Sequence, residues 1–293
     1  MDEPAHGSTE LRSAQQRTTS RRRRTRVPIA VVVLSGLAAL FFALPLIGLL
    51  WRVPWDDAIS TLGESDVRQA LWLSLRTSLA ATAVSVVLGV PLAWLLAHVG
   101  FPGRGMVRAL CTLSMVLPPV VGGTALFFAF GRRGLFGTWL DEWFGIRLPF
   151  STAGVVVAQA FVAMPFLVLT VEAALRQHDS RIDDAARTLG GSPWYVLRRV
   201  TLPSIRPALV AGAVLAWARA LGEFGATITF AGNLAGTTQT MPLATYLALE
   251  TDPDRALVLS AVLVAVSFGV LVALRDRWLT ATSADATVSR SAR

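Results

Sequence analysis

Six apolar runs, each about 20 residues or longer, limit what this chain can become, because a helix of about that length crosses the hydrocarbon core of a bilayer. Inside lipid every backbone amide needs an internal partner, and a helix supplies one within its own segment. The runs lie near 28–51, 70–98, 106–130, 150–175, 207–230 and 256–275. They predict an all-α, polytopic membrane protein of about six transmembrane helices. A hydrophobic share of 53% against 16% charged residues excludes an ordinary soluble domain.

The charge balance sets topology. A net charge of +8 and a pI near 11.3 would suit a nucleic-acid partner. The basic residues instead sit at the ends of the apolar runs, so the expected contact is membrane lipid and no nucleic acid. One set of loops holds the N-terminal arginines, Arg104, Arg108, the six from Arg176 to Arg206, and Arg275, Arg277, Arg290 and Arg293. The other holds only Arg52, Arg68, Arg132, Arg133, Arg147 and Arg255. The richer set belongs in the cytoplasm. Residues 1–27, ending in Arg21, Arg22, Arg23, Arg24 and Arg26, then read as a disordered cytoplasmic tail. The run that follows is too long for the apolar region of a signal peptide. Residues 28–280 form the membrane domain and 281–293 a second cytoplasmic tail, with both termini inside.

Several chemistries are excluded. Every basic residue is arginine. A phosphate-cradling P-loop needs its lysine, so this chain is no P-loop ATPase. Cys111 has no partner cysteine, and His6, His98 and His178 have no metal-ligand spacing, so neither a catalytic nor a metal site is expected.

Between the fourth and fifth runs lies a polar segment, 180–203, with its own helix–break–helix pattern. Ser180 with Asp183 three residues on reads as a short capping box. Ile182, Ala185, Ala186 and Leu189 make one apolar stripe. Gly190 and Gly191 supply a left-handed helix end. Ser192 and Pro193 read as a second cap and first-turn proline. Trp194, Leu197 and Val200 then carry an apolar face as far as Pro203. Such a hairpin offers small residues to something outside the membrane, although an ordinary amphipathic loop has a similar outline.

Prolines and glycines interrupt the spans at Pro91, Pro118, Pro119 and Pro165, most densely in LPPVVGG, Leu117–Gly123. Broken helices at mid-depth are where transporters build substrate pathways, which makes Pro118, Pro119 and Gly122 pathway candidates. Close packing through small residues accounts for Gly122 and Gly123 equally well. Arg219 and Glu223 lie four apart in the fifth run, with Arg219 about 18 Å from its start at 1.5 Å per residue. A lone arginine there costs about 2.5–3.5 kcal/mol, so an inward-facing ion pair is expected. The pair either locks packing or sets the potential along an anion's path. Residues 131–149, with Trp139 and Trp143 among charges, suit an interfacial helix that rests on the membrane or docks a partner.

Two motifs carry a family resemblance. Asp184, Ala185, Ala186, Gly190, Val200, Leu202 and Pro203 resemble the ATPase-coupling loop of bacterial ABC importer permeases, with Asp184 and Val200 as mild departures from Glu and Ile. RALGEFGATITFAGNLAGTTQTMPL, Arg219–Leu243, is similar to molybdate permeases of that superfamily, and sulfate permeases have a related stretch. The resemblance covers roughly residues 60 to 280, and many such permeases have one span fewer. It implies the type I importer permease fold in a cytoplasmic (inner) membrane. It further implies a permease homodimer, a cytoplasmic ATPase dimer that uses the ATP, and an extracytoplasmic molybdate-binding protein. No cofactor is implied on this chain. Molybdate is the implied cargo, with sulfate, thiosulfate or tungstate as the alternative.

Overall fold

The computed structural model describes residues 28–270 and 272, and every regular element among them is helical. The tails expected at 1–27 and 281–293, and the last residues of the 28–280 domain, lie outside the described residues. The chain divides into two compact units, one ending at Gly48 and one starting at Leu49. Helix α1 (Ile29–Arg52) is the first expected span, continuous through Pro45.

In the second unit, Trp55–Gly63 forms a short α2, and Trp55 Nε1 donates to Leu50 O at 3.1 Å. The scaffold is three helices: α3 (Ser65–His98), α7 (Thr152–Gln177) and α10 (Arg206–Leu221). They meet through small and branched residues, among them Ala81, Ala93, Ala160, Ala163, Val168, Val171, Ala216 and Ala220. Without a hydrophobic force between helices in lipid, small residues gain stability by letting backbones approach. A Cβ on Gly89 of α3 would sit 2.9 Å from Leu167 Cδ2 of α7. Pro91 and Pro165 leave α3 and α7 unbroken, because neighbouring helices hold the backbone in place.

Two expected spans are not single helices. The third is α4 (Arg104–Val116) and α5 (Pro119–Phe130), separated at Leu117–Pro118. Pro119 lacks the N–H that would continue the ladder, and a proline is suited to a helix's first turn. The fifth is α10 and α11 (Gly225–Phe230), separated at Gly222–Phe224. Between α5 and α7, α6 (Gly137–Phe144) stacks Trp139 on Trp143 with centroids 6.2 Å apart.

Residues 231–254, between the fifth and sixth expected spans, contain α12 (Met241–Thr251), with Pro242 in its first turn. Met241 N donates to Ser74 Oγ at 2.7 Å, more than two turns inside α3, so the chain dips back before α12. The final helix, α13 (Pro253–Val270), is tied to the start of α3 by Arg255, which pairs with Glu64 at 2.9 Å and Asp66 at 2.5 Å.

Candidate functional site

The predicted site residues gather in two places. The first is the hairpin between α7 and α10, built from α8 (Ser180–Thr188) and α9 (Pro193–Ser204). Asp179 caps α8, with Oδ1 accepting from Arg181 N at 3.0 Å, and Ser180 is its first helical residue. The expected cap is therefore displaced by one position, to a carboxylate that also complements the helix dipole. The turn follows expectation: Gly190 has φ +87°, Gly190 N donates to Arg187 O at 2.9 Å, and Gly191 N donates to Ala186 O at 3.0 Å. Ser192 Oγ accepts from Tyr195 N at 3.3 Å and opens α9.

Pro203 does not end α9. Its ring collides with the carbonyl four residues back, and a π-turn over Leu197–Thr201 opens the ladder so that the helix continues to Ser204. α9 then meets α10 at 73°. Its inward side chains are Val196 and Thr201, not Trp194: Val196 is 1% exposed, Thr201 2% and Trp194 67%. Leu197, Val200 and Leu202 are half-buried, and Leu202 packs on the three-helix core.

The outer surface of the hairpin is open and mixes apolar with charged side chains. Ile182, Leu189, Trp194 and Tyr195 are exposed, as are Asp184, Ala185, Gly190 and Pro203, while Ala186 is half-buried. Asp184 holds only a loose pair with Arg187 at 3.5 Å, with both ends exposed. Arg198 and Arg199 line an open depression with Ser192, Trp194 and Tyr195.

The second place is where the two broken spans meet. A Cβ on Gly225 would lie 2.7 Å from Pro119 Cβ, and one on Gly123 would lie 1.8 Å from Thr229 Oγ1 and 2.7 Å from Ala226 O. The break at Pro118–Pro119 is thus pressed against the break at Glu223–Gly225. Gly122 faces Phe161 of α7, and Gly123 makes the close approach to α11. Arg219 Nη2 and Glu223 Oε2 are 2.6 Å apart, without hydrogen-bond alignment. The expected pair is present, but Glu223 lies beyond the end of α10, not on one helix with Arg219. Glu223 is 1% exposed, and its Oε1 accepts from Ala226 N at 2.8 Å, so it holds α11 as well as Arg219.

Sequence reasoning missed three features. Glu172 is buried in α7 and pairs with both Arg108 of α4 and Arg176, the latter at 2.9 Å. An acidic residue in an apolar run, four before an arginine, was its signal. Gln159, Thr227 and Thr240 are buried with side-chain polar atoms that have no protein hydrogen-bond partner. Lastly, His178, Asp183, Thr201 and Ser204 form a hydrogen-bonded ring under the hairpin. Among the described residues no group of three or more His, Cys, Asp or Glu is arranged to hold a metal.

The profile of the binding-protein-dependent transport system inner membrane components matches residues 89–282. The molybdenum transport system permease protein of Mycobacterium bovis is 46% identical over 251 residues, covering 84% of this chain and 93% of the relative. A sulfate transport system permease protein of Escherichia coli is 40% identical over 194 residues, covering 66% of each. A bacterial alginate ABC transporter, crystallised with a pentasaccharide-bound periplasmic protein, superposes with a TM-score of 0.63 at 17% identity, over 83% of this chain and 91% of that one.

Proposed function

The chain belongs to the family of binding-protein-dependent transport system inner membrane components, and on that premise we propose that it is the membrane-spanning subunit of an ATP-driven molybdate importer. It is a multi-pass transport subunit of the ABC importer permease fold, not an enzyme. The observation that carries the cargo is the 46% identity to a molybdenum permease over 84% of the chain. The sulfate permease match is weaker in identity and extent. Sulfate and tungstate are tetrahedral dianions like molybdate, so the pathway donors would serve them too, and discrimination falls to the binding protein.

In this reading the hairpin carrying Asp184, Ala185, Ala186, Gly190, Val200, Leu202 and Pro203 is gripped by a cytoplasmic ATPase. Its support is the exposed surface around Ala185, where Ile182, Asp184 and Leu189 are exposed as well. ATP-driven closure of an ATPase pair displaces the hairpin, and α7 and α10, joined to its two ends, move with it. α10 leads directly to the junction of the broken spans. There Arg219, 28% exposed beside a buried Glu223, offers positive potential to a dianion, and Glu223 keeps that potential from trapping it. Pro118, Pro119 and Gly122 shape the opposite wall. A second copy completes the pathway across a two-fold axis, and an extracytoplasmic binding protein delivers the ion.

The arginine bias puts the hairpin inside the cell. In a Cys111→Ala background, a cysteine at Thr138 should label from outside with an impermeant reagent, and one at Ser192 only after the membrane is opened. The reverse pattern contradicts this orientation. For the cargo, membrane vesicles holding the complex should take up radiolabelled molybdate with ATP, and excess sulfate should compete poorly. Uptake of sulfate in preference to molybdate would transfer the assignment to the second reading.

A further inference from the structure

The ring beneath the hairpin is the least expected polar structure in the chain, and its proton count is informative. His178 ends α7 and its side chain is 5% exposed. Its Nε2 lies 3.0 Å from Asp183 Oδ1 of α8, and its Nδ1 lies 3.1 Å from Ser204 Oγ of α9. Thr201 Oγ1 donates to Asp183 Oδ2 at 3.1 Å, and Ser204 Oγ donates to Thr201 O at 2.7 Å. Four residues from three elements thus close one circuit around the root of the hairpin.

A serine hydroxyl has one proton. Since Ser204 gives its proton to the Thr201 carbonyl, it can only accept from His178 Nδ1. A carboxylate also only accepts, so Nε2 must donate to Asp183. Both imidazole nitrogens therefore carry protons when every bond in the ring is made. A neutral imidazole has one donor, and Ser204 must then turn away from Thr201 or face His178 lone pair to lone pair.

The charged and titratable groups on the packed elements are placed as follows. Arg176 of α7 is held by Glu172, and Asp179 caps α8. Arg187 of α8 and His98 of α3 share with Asp183 a cavity of about 340 Å³, roofed by Trp94, Val196 and Leu197. Arg206 opens α10. The hairpin is therefore tied on its α7 side and has free space on its α3 side.

We propose that His178, Asp183, Thr201 and Ser204 form a proton-responsive joint, which fastens the hairpin to α7 when His178 is protonated and slackens when it is neutral. These are positioning residues: the joint decides how much of the hairpin's displacement reaches α7, and the cavity beside α3 is the space into which a slack hairpin turns. The proposal rests on the reading of the hairpin as the element an ATPase moves. The sign is fixed by the proton count, with tight coupling at low pH and loose coupling as pH rises.

The test uses the full complex in vesicles, with ATP hydrolysis and molybdate uptake measured together while the pH on the hairpin side is stepped over about 5 to 8. Uptake per ATP in the wild type should fall with rising pH by about fivefold, the low end of coupling between linked sites. Ser204→Ala removes the group that demands the second ring proton, so its uptake per ATP should stay level across the range. His178→Phe should bind the ATPase and hydrolyse ATP while importing little at any pH. A Ser204→Ala variant that keeps the wild-type pH slope, or a His178→Phe variant with normal uptake per ATP, overturns the joint. Failure of the wild-type chain to bind its ATPase through the hairpin would instead overturn the underlying reading.

Discussion

The hairpin and the junction of broken spans are both made by interrupting helices, and they have opposite surroundings. At Gly190 the chain turns in open space, with φ +87° and nothing within 4 Å of where a Cβ would stand. At Gly123 the backbone has a normal helical conformation, yet a Cβ would lie 1.8 Å from Thr229 Oγ1. One glycine is required by its own backbone angle and the other by a neighbour. The hairpin is a local structure offered outward, whereas the junction exists only because two distant segments press together. A partner can grip the first. In the proposed function the second passes a small ion by a coordinated shift of both breaks.

Gly123→Leu should have the largest effect. The side chain meets Ala226 backbone as well as Thr229, which cannot both give way. Overpacking of this kind costs about 3 kcal/mol or more at its upper end. The variant should yield little folded protein in detergent, measured by monodispersity and thermal unfolding. A well-behaved Gly123→Leu protein would break the distinction between the two glycines.

Gly190→Val should be milder for the fold and severe for coupling. A β-branched residue at positive φ costs about 1–2 kcal/mol, all of it local to the turn. The protein should accumulate in the membrane at near-normal levels but lose ATPase association or coupled uptake. Gly190→Asn, which tolerates the left-handed region, should restore most of both. Normal uptake by Gly190→Val would remove the coupling role from the hairpin.

The contrast also explains what could be read from the residues. Gly190, Ser192 and Pro193 act over three or four positions, and the turn they specify is present. The four long apolar helices, expected near 28–51, 70–98, 150–175 and 256–275, were also legible, because apolar length is a property of contiguous sequence. The break at Gly222–Phe224 was not, since the segment that Gly225 packs against, Pro119 and Val120, lies about a hundred positions away. α12 hid behind TTQTMPL, a polar run before a first-turn proline, and its position depends on Ser74. The ring of His178, Asp183, Thr201 and Ser204 escaped notice because its members are joined only once the π-turn has placed Thr201. The tails at 1–27 and 281–293 lie outside the described residues.

The central claim is that the hairpin receives the ATPase's work and the junction passes the ion, and Arg219 with Glu223 is where it is most exposed to test. Exchanging the two residues is unsuitable, because an arginine at 223 could not accept from Ala226 N. Removing Arg219 alone leaves the buried Glu223 unpaired, and removing Glu223 alone leaves the half-buried Arg219 unpaired, which confounds folding with function. The double variant Arg219→Gln with Glu223→Gln keeps an acceptor for Ala226 and a polar pair, and it discharges the site. ATP-driven molybdate uptake per assembled complex is the measurement. The variant should assemble and hydrolyse ATP as the wild type does, while uptake falls about tenfold, equivalent to about 1.4 kcal/mol of barrier. Near-normal uptake by this neutral pair would show that Arg219 and Glu223 only lock the helices together, and would contradict the assignment of the junction to the ion's path.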